Sequence, residues 1–442
     1  MSLEKNSRQL GEDLLDAARY GHMETLKRCL KRGANVNNQN WNGKTALHLA
    51  ILNSKTEIVK LLIDAGIDVN ILEKCGDNAL HLAAQNGNTE TVKLLIDCGV
   101  DLNIQGQFGD TALHLAAQNG NTETVKLLIN YGIDLNIQGQ CGDTALHHAA
   151  QKGNTETVKL LIDGGIDLNI QGQVGDTALF IAAWKGNTEI VKLLIDAGIA
   201  IHLQNRNGET ALHITATAWN GKTGIVKLLI DAGIDLNVQE KNGTTALHIA
   251  ALNGKTEIVK LLIDAGIDVN LLEMDGSTAL HSAADGGHTE IVHLLIANRI
   301  EINFQTKDGS NILFDAVCKG NTVILHWLID KGININVQDK NGKTALHIAA
   351  LNEKTEVVKL LIKAGIDVNL QEQDGSTALH NAAFNDYTEI VQLFIDNGLV
   401  INLQNENGKT VLHLAALNEK TEVVKFLINA GVDVNVQDKV SE

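Results

Sequence analysis

Residues 111–138 read Thr-Ala-Leu-His-Leu-Ala-Ala-Gln-Asn-Gly-Asn-Thr-Glu-Thr-Val-Lys-Leu-Leu-Ile-Asn-Tyr-Gly-Ile-Asp-Leu-Asn-Ile-Gln. Thr111 suits a helix N-cap, because its hydroxyl can satisfy a free backbone N–H of the first turn. Ala112 to Gln118 follows as a short helix that Gly120 ends. Asn121 and Thr122 open a second helix through Asn130, with Glu123 near its positive end. Gly132 closes that helix in the left-handed conformation that favours glycine. Ile133 to Asp143 then supplies an extended arm and a tight turn, read as a β-hairpin. Val125, Leu127, Leu128 and Ile129 make the second helix apolar on more than one side. A lone surface helix would be amphipathic. This one needs cover on both flanks.

The rest of the chain supplies that cover by repeating the same stretch. The motif threonine or its equivalent falls at Thr45, Asn78, Thr111, Thr144, Thr177, Thr210, Thr245, Thr278, Asn311, Thr344, Thr377 and Thr410. Each step is 33 residues, except 35 between Thr210 and Thr245, which sets a two-residue insertion near 217–218. Residues 7–39 fit the same frame without the motif, giving thirteen repeats over residues 7–437. The expected organisation is a tail at 1–6, a capping repeat at 7–39, twelve repeats at 40–437 and a tail at 438–442. The fold class is an all-α repeat solenoid of helix-turn-helix units with β-hairpin loops, in which neighbours bury one another's apolar faces.

These features resemble the ankyrin repeat, with its 33-residue period, two helices and Thr-Pro-Leu-His signature. Here the signature is Thr-Ala-Leu-His-x-Ala-Ala, followed by Gly-Asn-Thr-Glu and Val-Lys-Leu-Leu-Ile, over nearly the whole chain. Replacing proline by alanine removes a rigid first helical residue but keeps a good helix former. The resemblance implies a concave surface, lined by loop tips and first helices, on which protein partners dock. Loop asparagines such as Asn70, Asn103, Asn136 and Asn169 are read as mostly structural, and the resemblance implies that such residues can be hydroxylated by an asparaginyl hydroxylase in animal cells.

Composition narrows the partner. The 442 residues carry a formal net charge of −17, so binding to nucleic acid or an anionic membrane surface is disfavoured. No apolar stretch reaches 18 residues, so no membrane span is expected. Five cysteines without paired spacing point to a reducing compartment, read as cytoplasmic. The near-identity of the repeats from Gly106 to Gly186 suggests internal duplication, and the Ile, Asn and Lys bias an AT-rich genome. Together they look like the ankyrin proteins that intracellular bacteria direct at their hosts.

Catalytic readings fail on geometry. Ten of the sixteen histidines belong to the motif, and equivalents in adjacent repeats lie about one helix spacing, roughly 10 Å, apart. Zinc ligands all sit about 2 Å from one ion. The histidines are therefore expected to bond backbone between one repeat and the next. Gly-Lys-Thr recurs at Gly43, Gly221, Gly254, Gly342 and Gly408, but Asn38, Ala216, Ile249, Val337 and Leu403 stand where a phosphate loop needs glycine. No enzyme activity, metal or cofactor is expected.

Positions that change between repeats are free of the scaffold's demands. At the loop tips these are Trp41, Cys75, Phe108, Cys141 and Val174. Directly before the motif threonine, Asp77, Asp110, Asp143, Asp176 and Glu209 form an acidic run. Helix-dipole stabilisation accounts for carboxylates there, yet Lys44, Lys343 and Lys409 occupy the same position. The run therefore implies a partner with a basic surface. At the end of the first helix stand Trp184 and, after the insertion, Trp219. Tryptophan is favoured at binding hot spots. Phe180 for His, Ala200 for Asp, His202 for Asn, Arg206 at the loop and Gly224 for Glu cluster nearby. Residues 172–240 are accordingly expected to centre the binding face. The first repeat has a polar outer side (Thr25, Lys27, Arg28, Lys31, Arg32), whereas Val423, Val424, Phe426, Leu427 and Ile428 match an internal repeat. That uncapped end suggests self-association, or a targeting arm of a larger protein that continues past Glu442.

Overall fold

A computed structural model describes residues 2–106, 108–139, 141–217 and 222–439, with side chains from residue 7 onward. Twenty-six helices are found among the described residues, two per repeat. The chain forms two bodies, Met1–Thr215 with Lys227–Ile234, and Ala216–Val226 with Asp235–Glu442.

In the N-terminal body the first helix, Ser2–Tyr20, is 19 residues long. It begins inside the stretch read as a tail, because Ser2 to Ser7 contains no proline or glycine to break it. Gly11 lies within the helix, where a Cβ would stand 2.7 Å from the Asn38 amide nitrogen. Leu14, Leu15, Ala17 and Ala18 are buried. Arg28, Lys31 and Arg32 face solvent, giving the repeat a charged outer side.

A typical repeat pairs Ala112–Asn119 with Thr122–Asn130. Ala112, Ala116 and Ala117 are fully or almost fully buried, and their small side chains let neighbouring first helices approach closely. Val125 and Leu128 fill the space against the second helices. Gly120 (φ 69°) and Gly132 (φ 78°) end the two helices in the left-handed region. Thr111 is extended, and its backbone N–H donates to His114 Nδ1 at 3.1 Å. Since Nδ1 accepts, the ring proton sits on Nε2, which donates to the Asp143 carbonyl of the next repeat at 3.1 Å. His147 reaches the Asp176 carbonyl in the same way, at 3.3 Å, and His81 Nε2 lies 3.1 Å from the Asp110 carbonyl. In these repeats the motif histidine is thus an inter-repeat strut. At His48, His248, His281, His347 and His380 the buried Nε2 has no hydrogen-bond partner, and the expected bond is not made.

The loops differ from the expected β-hairpins. The Gly139 N–H donates to the Asp143 carbonyl and the Gly142 N–H to the Gly139 carbonyl, both at 2.9 Å. Among the described residues the isolated bridge Gln371–Thr377 is the one β-type pairing. Side chains take over the role of a ladder. Asn103 Oδ1 accepts the Asp134 N–H of the next repeat at 3.0 Å. Gln105 Nε2 donates to the carbonyls of Gly109 and Gln138 at 2.7 and 2.9 Å. Adjacent tips are joined directly, as in Gln173 N–H to Cys141 carbonyl at 2.8 Å and Met274 N–H to Asn242 carbonyl at 2.7 Å.

Candidate partner-binding surface

Short first helices and glycine-closed turns leave a furrow between helix ends and loop tips. In the N-terminal body it deepens to a cavity of about 530 Å³ whose walls include Val174, Asp176, Phe180, Ile181, Trp184, Arg206 and Glu209. Trp184 closes one side with 57% of its surface exposed. The Lys185 ammonium lies 4.3 Å from its ring centroid, a cation–π contact that steadies the indole. Phe180, in the histidine position, is buried and supplies apolar floor where other repeats carry an imidazole. Asn205 Nδ2 donates to Asp176 Oδ1 at 3.1 Å and to Glu209 Oε2 at 2.8 Å. Burial, then the charges of Glu209 and Asp143, raise the Asp176 acid despite the Asn205 bond.

Of the residues singled out from sequence, Trp184, Arg206, Asp176 and Glu209 come together in this cavity. His202 is exposed and does not line it. Phe108 and Trp41 stand exposed (67% and 79%) on the tips of other repeats. Trp41 flanks a separate hollow beside Arg19. Trp219 lies outside the described residues. Ile181, Asn205 and Ile214 also line the cavity and were passed over. The signal for the two isoleucines was the variable residue of Thr-Ala-Leu-His-x, which faces the furrow.

The alternation of Asp and Lys before the motif threonine has a local cause. This residue meets the first turn residue of the next repeat. Lys44 Nζ pairs with Glu73 at 2.9 Å, and the Glu73 side chain is only 4% exposed. Lys343 lies 4.0 Å from Glu372. Where Asp77, Asp110 and Asp143 stand instead, the next turn begins with glycine, and after Asp176 it begins with Asn205, which donates to the carboxylate. A Cβ on Gly106 would sit 2.0 Å from Asp77 Oδ1, and one on Gly139 or Gly172 2.5 Å from the carboxylate of Asp110 or Asp143. These glycines lie outside the positive-φ region, so they provide room, not conformational freedom. Burial works to raise the Asp110 acid, but the His148 bond and nearby imidazoles outweigh it and leave it lowered. His148 Nε2 is 3.7 Å from that carboxylate.

The pairing predicts a rescue. Lys44→Asp sets a carboxylate against buried Glu73 and should cost about 3 kcal/mol, the scale of a broken buried pair. Adding Glu73→Gly recreates the Asp–Gly match and should recover most of the loss. Urea midpoints of the single and double variants check this; equal destabilisation of both would refute the match.

Among the described residues no group of three or more His, Cys, Asp or Glu is placed to hold a metal ion. Nor is any described helix long and apolar enough to cross a membrane. The chain is similar over 58 residues to an L-asparaginase of Dirofilaria immitis, at 45% identity. That stretch is 13% of this chain and 10% of the asparaginase, too short to carry a catalytic assignment. The family model described as ankyrin repeats (3 copies) matches residues 14–106, 80–172, 148–239, 214–306, 287–372 and 365–438. With the helix pairs, the histidine struts and this unbroken run of matches, the chain belongs to the ankyrin repeat family.

Proposed function

We propose that the protein is a non-enzymatic interaction scaffold that holds a basic protein surface in the N-terminal body, with Trp184 as the central anchor. Ankyrin repeats imply a protein–protein interaction scaffold; the partner chemistry is our reading. The observation that carries it is the meeting of an exposed tryptophan, an apolar floor and two carboxylates in one cavity. Binding hot spots favour such an aromatic anchor with a polar rim. The row of Asp77, Asp110 and Asp143 extends the negative field along the preceding repeats and would steer a cationic partner. A net charge of −17 supports a protein partner over nucleic acid or anionic lipid. Cys75, Cys98, Cys141 and Cys318 are free and exposed, which supports a reducing compartment such as the cytoplasm.

Affinity capture from eukaryotic lysate, followed by titration of the captured protein, tests the proposal. Trp184→Ala should weaken binding by about 1–2 kcal/mol, roughly tenfold. Because Trp184 is exposed, its far-UV circular dichroism and urea midpoint should match the parent. An unchanged affinity for every captured protein would sink the proposal.

A further inference from the structure

The cavity at Trp184 spans two repeats, and its lining falls into three zones along the first helices Ala178–Lys185 and Ala211–Thr217. At one end Asp176 and Glu209, equivalent residues of neighbouring repeats, directly precede the motif threonines Thr177 and Thr210. Asn205 donates to both carboxylates, at 3.1 and 2.8 Å, and holds them side by side. In the middle stand Ile181 and Ile214, again equivalent, half-buried and facing the cavity. Trp184 closes the far end. The flanking repeats do not continue the slot. On one side Asp143, His148 and Gln151 keep the acid and lack the apolar floor. On the other Thr244, Ile249 and Leu252 keep the floor and lack the acid.

An ionised carboxylate has about four acceptor sites, so the Asn205 amide leaves capacity for a cation. Arg206, exposed on the loop, offsets one of the two charges, and the slot therefore calls for a single cation. The spacing of the zones sets a register. Ile181 lies five residues after Asp176, about 8 Å along a helix that rises 1.5 Å per residue. In an extended chain, residues two apart lie about 7 Å apart and point to the same side, whereas adjacent residues point to opposite sides.

We propose that the slot takes an extended segment of the partner in which a lysine or arginine and a leucine-sized aliphatic residue stand two positions apart. The cation meets Asp176 and Glu209, and the aliphatic side chain lies on Ile181 and Ile214 against Trp184. This rests on the reading of Trp184 as the anchor of a basic partner and gives that partner a register. A basic surface without the aliphatic residue leaves the isoleucine floor in water. An apolar segment without the cation covers two carboxylates that it cannot pair, which is costly.

Two dye-labelled, C-terminally amidated peptides of one composition test this by fluorescence anisotropy on the full chain at pH 7.5. Leu-Ala-Lys-Ala-Leu sets a leucine two positions from the lysine in either chain direction. Ala-Leu-Lys-Leu-Ala sets both leucines next to it. The first should bind at least about tenfold more tightly, the scale of burying one leucine side chain. Ile181→Asn, a residue the fold carries at Asn381, should remove that preference. Glu209→Gln should weaken both peptides roughly fivefold, through loss of a charge-assisted contact. Equal binding of the isomers, an Ile181→Asn variant that keeps the preference, or indifference to Glu209→Gln would each overturn the inference. If the isomers bind equally, Trp184→Ala separates the two readings. Weaker binding of both peptides then leaves the basic-surface reading standing, and no change removes it as well.

Discussion

Lowering the pH from 7.5 to 5 should lower the urea midpoint of unfolding steeply, well before most carboxylates titrate. Burial, the largest cause in each case, holds His48, His114, His248, His281 and His347 at about 4, against 6.5 for a free imidazole. Between these values the unfolded chain binds protons that the folded chain refuses. Stability therefore falls as pH drops below about 6.5, and each loss is complete below about 4. At pH 5 each histidine accounts for about 2 kcal/mol, so the five together approach about 10 kcal/mol. Asp315 works the other way, because its folded value is raised. It returns about 2 kcal/mol between pH 7 and pH 5. The histidines win by a wide margin, and both bodies carry them. In a repeat array the loss is spread along the stack and not confined to one core. Midpoints measured at half-unit steps from pH 7.5 to 4 check this; a flat profile between 6.5 and 4.5 would show that the struts titrate normally.

The second large effect is a gain. Asp315→Ile should stabilise the chain by about 3–4 kcal/mol at pH 8, with the gain shrinking towards pH 4. The folded acid lies at about 7 and a free aspartate at 3.8. The folded chain binds the proton more readily, so the penalty for ionised Asp315 is absent below 3.8 and complete above 7. Isoleucine already fills this position at Ile181, Ile249 and Ile348, so the variant repeats a tolerated packing. Calorimetric melts of parent and variant at pH 8 and pH 4 measure the difference. A variant no more stable than the parent at pH 8 would refute the buried-charge reading.

The helix pairs could be read from the sequence because each rests on local chemistry. Thr111 caps, Gly120 and Gly132 stop, and the apolar second helix demands neighbours. The struts were also legible, since a histidine recurring every 33 residues can reach only the adjacent repeat. The loops were misread because an extended arm with a tight turn has the same composition whether it pairs as strands or is held by Asn103 and Gln105 side chains. The tail was misplaced because the frame was drawn from the motif, which the first repeat lacks. Asp315 escaped notice as one more variable residue. Its burial among Asp275, Asp285 and Asp308 is a fact of three dimensions. The acidic run was read against the helix dipole and a basic partner, although each of Asp77, Asp110, Asp143 and Asp176 also answers to a turn residue in the next repeat.

That correspondence bears on how such a gene can lengthen or shorten. Between Gly106 and Gly186 every junction joins an aspartate to a glycine or an asparagine, so misaligned recombination by whole repeats creates no clash. A crossover that placed the Glu73 repeat after Asp110 would instead set two carboxylates face to face. Copy number can therefore drift inside the block, where the junctions are interchangeable.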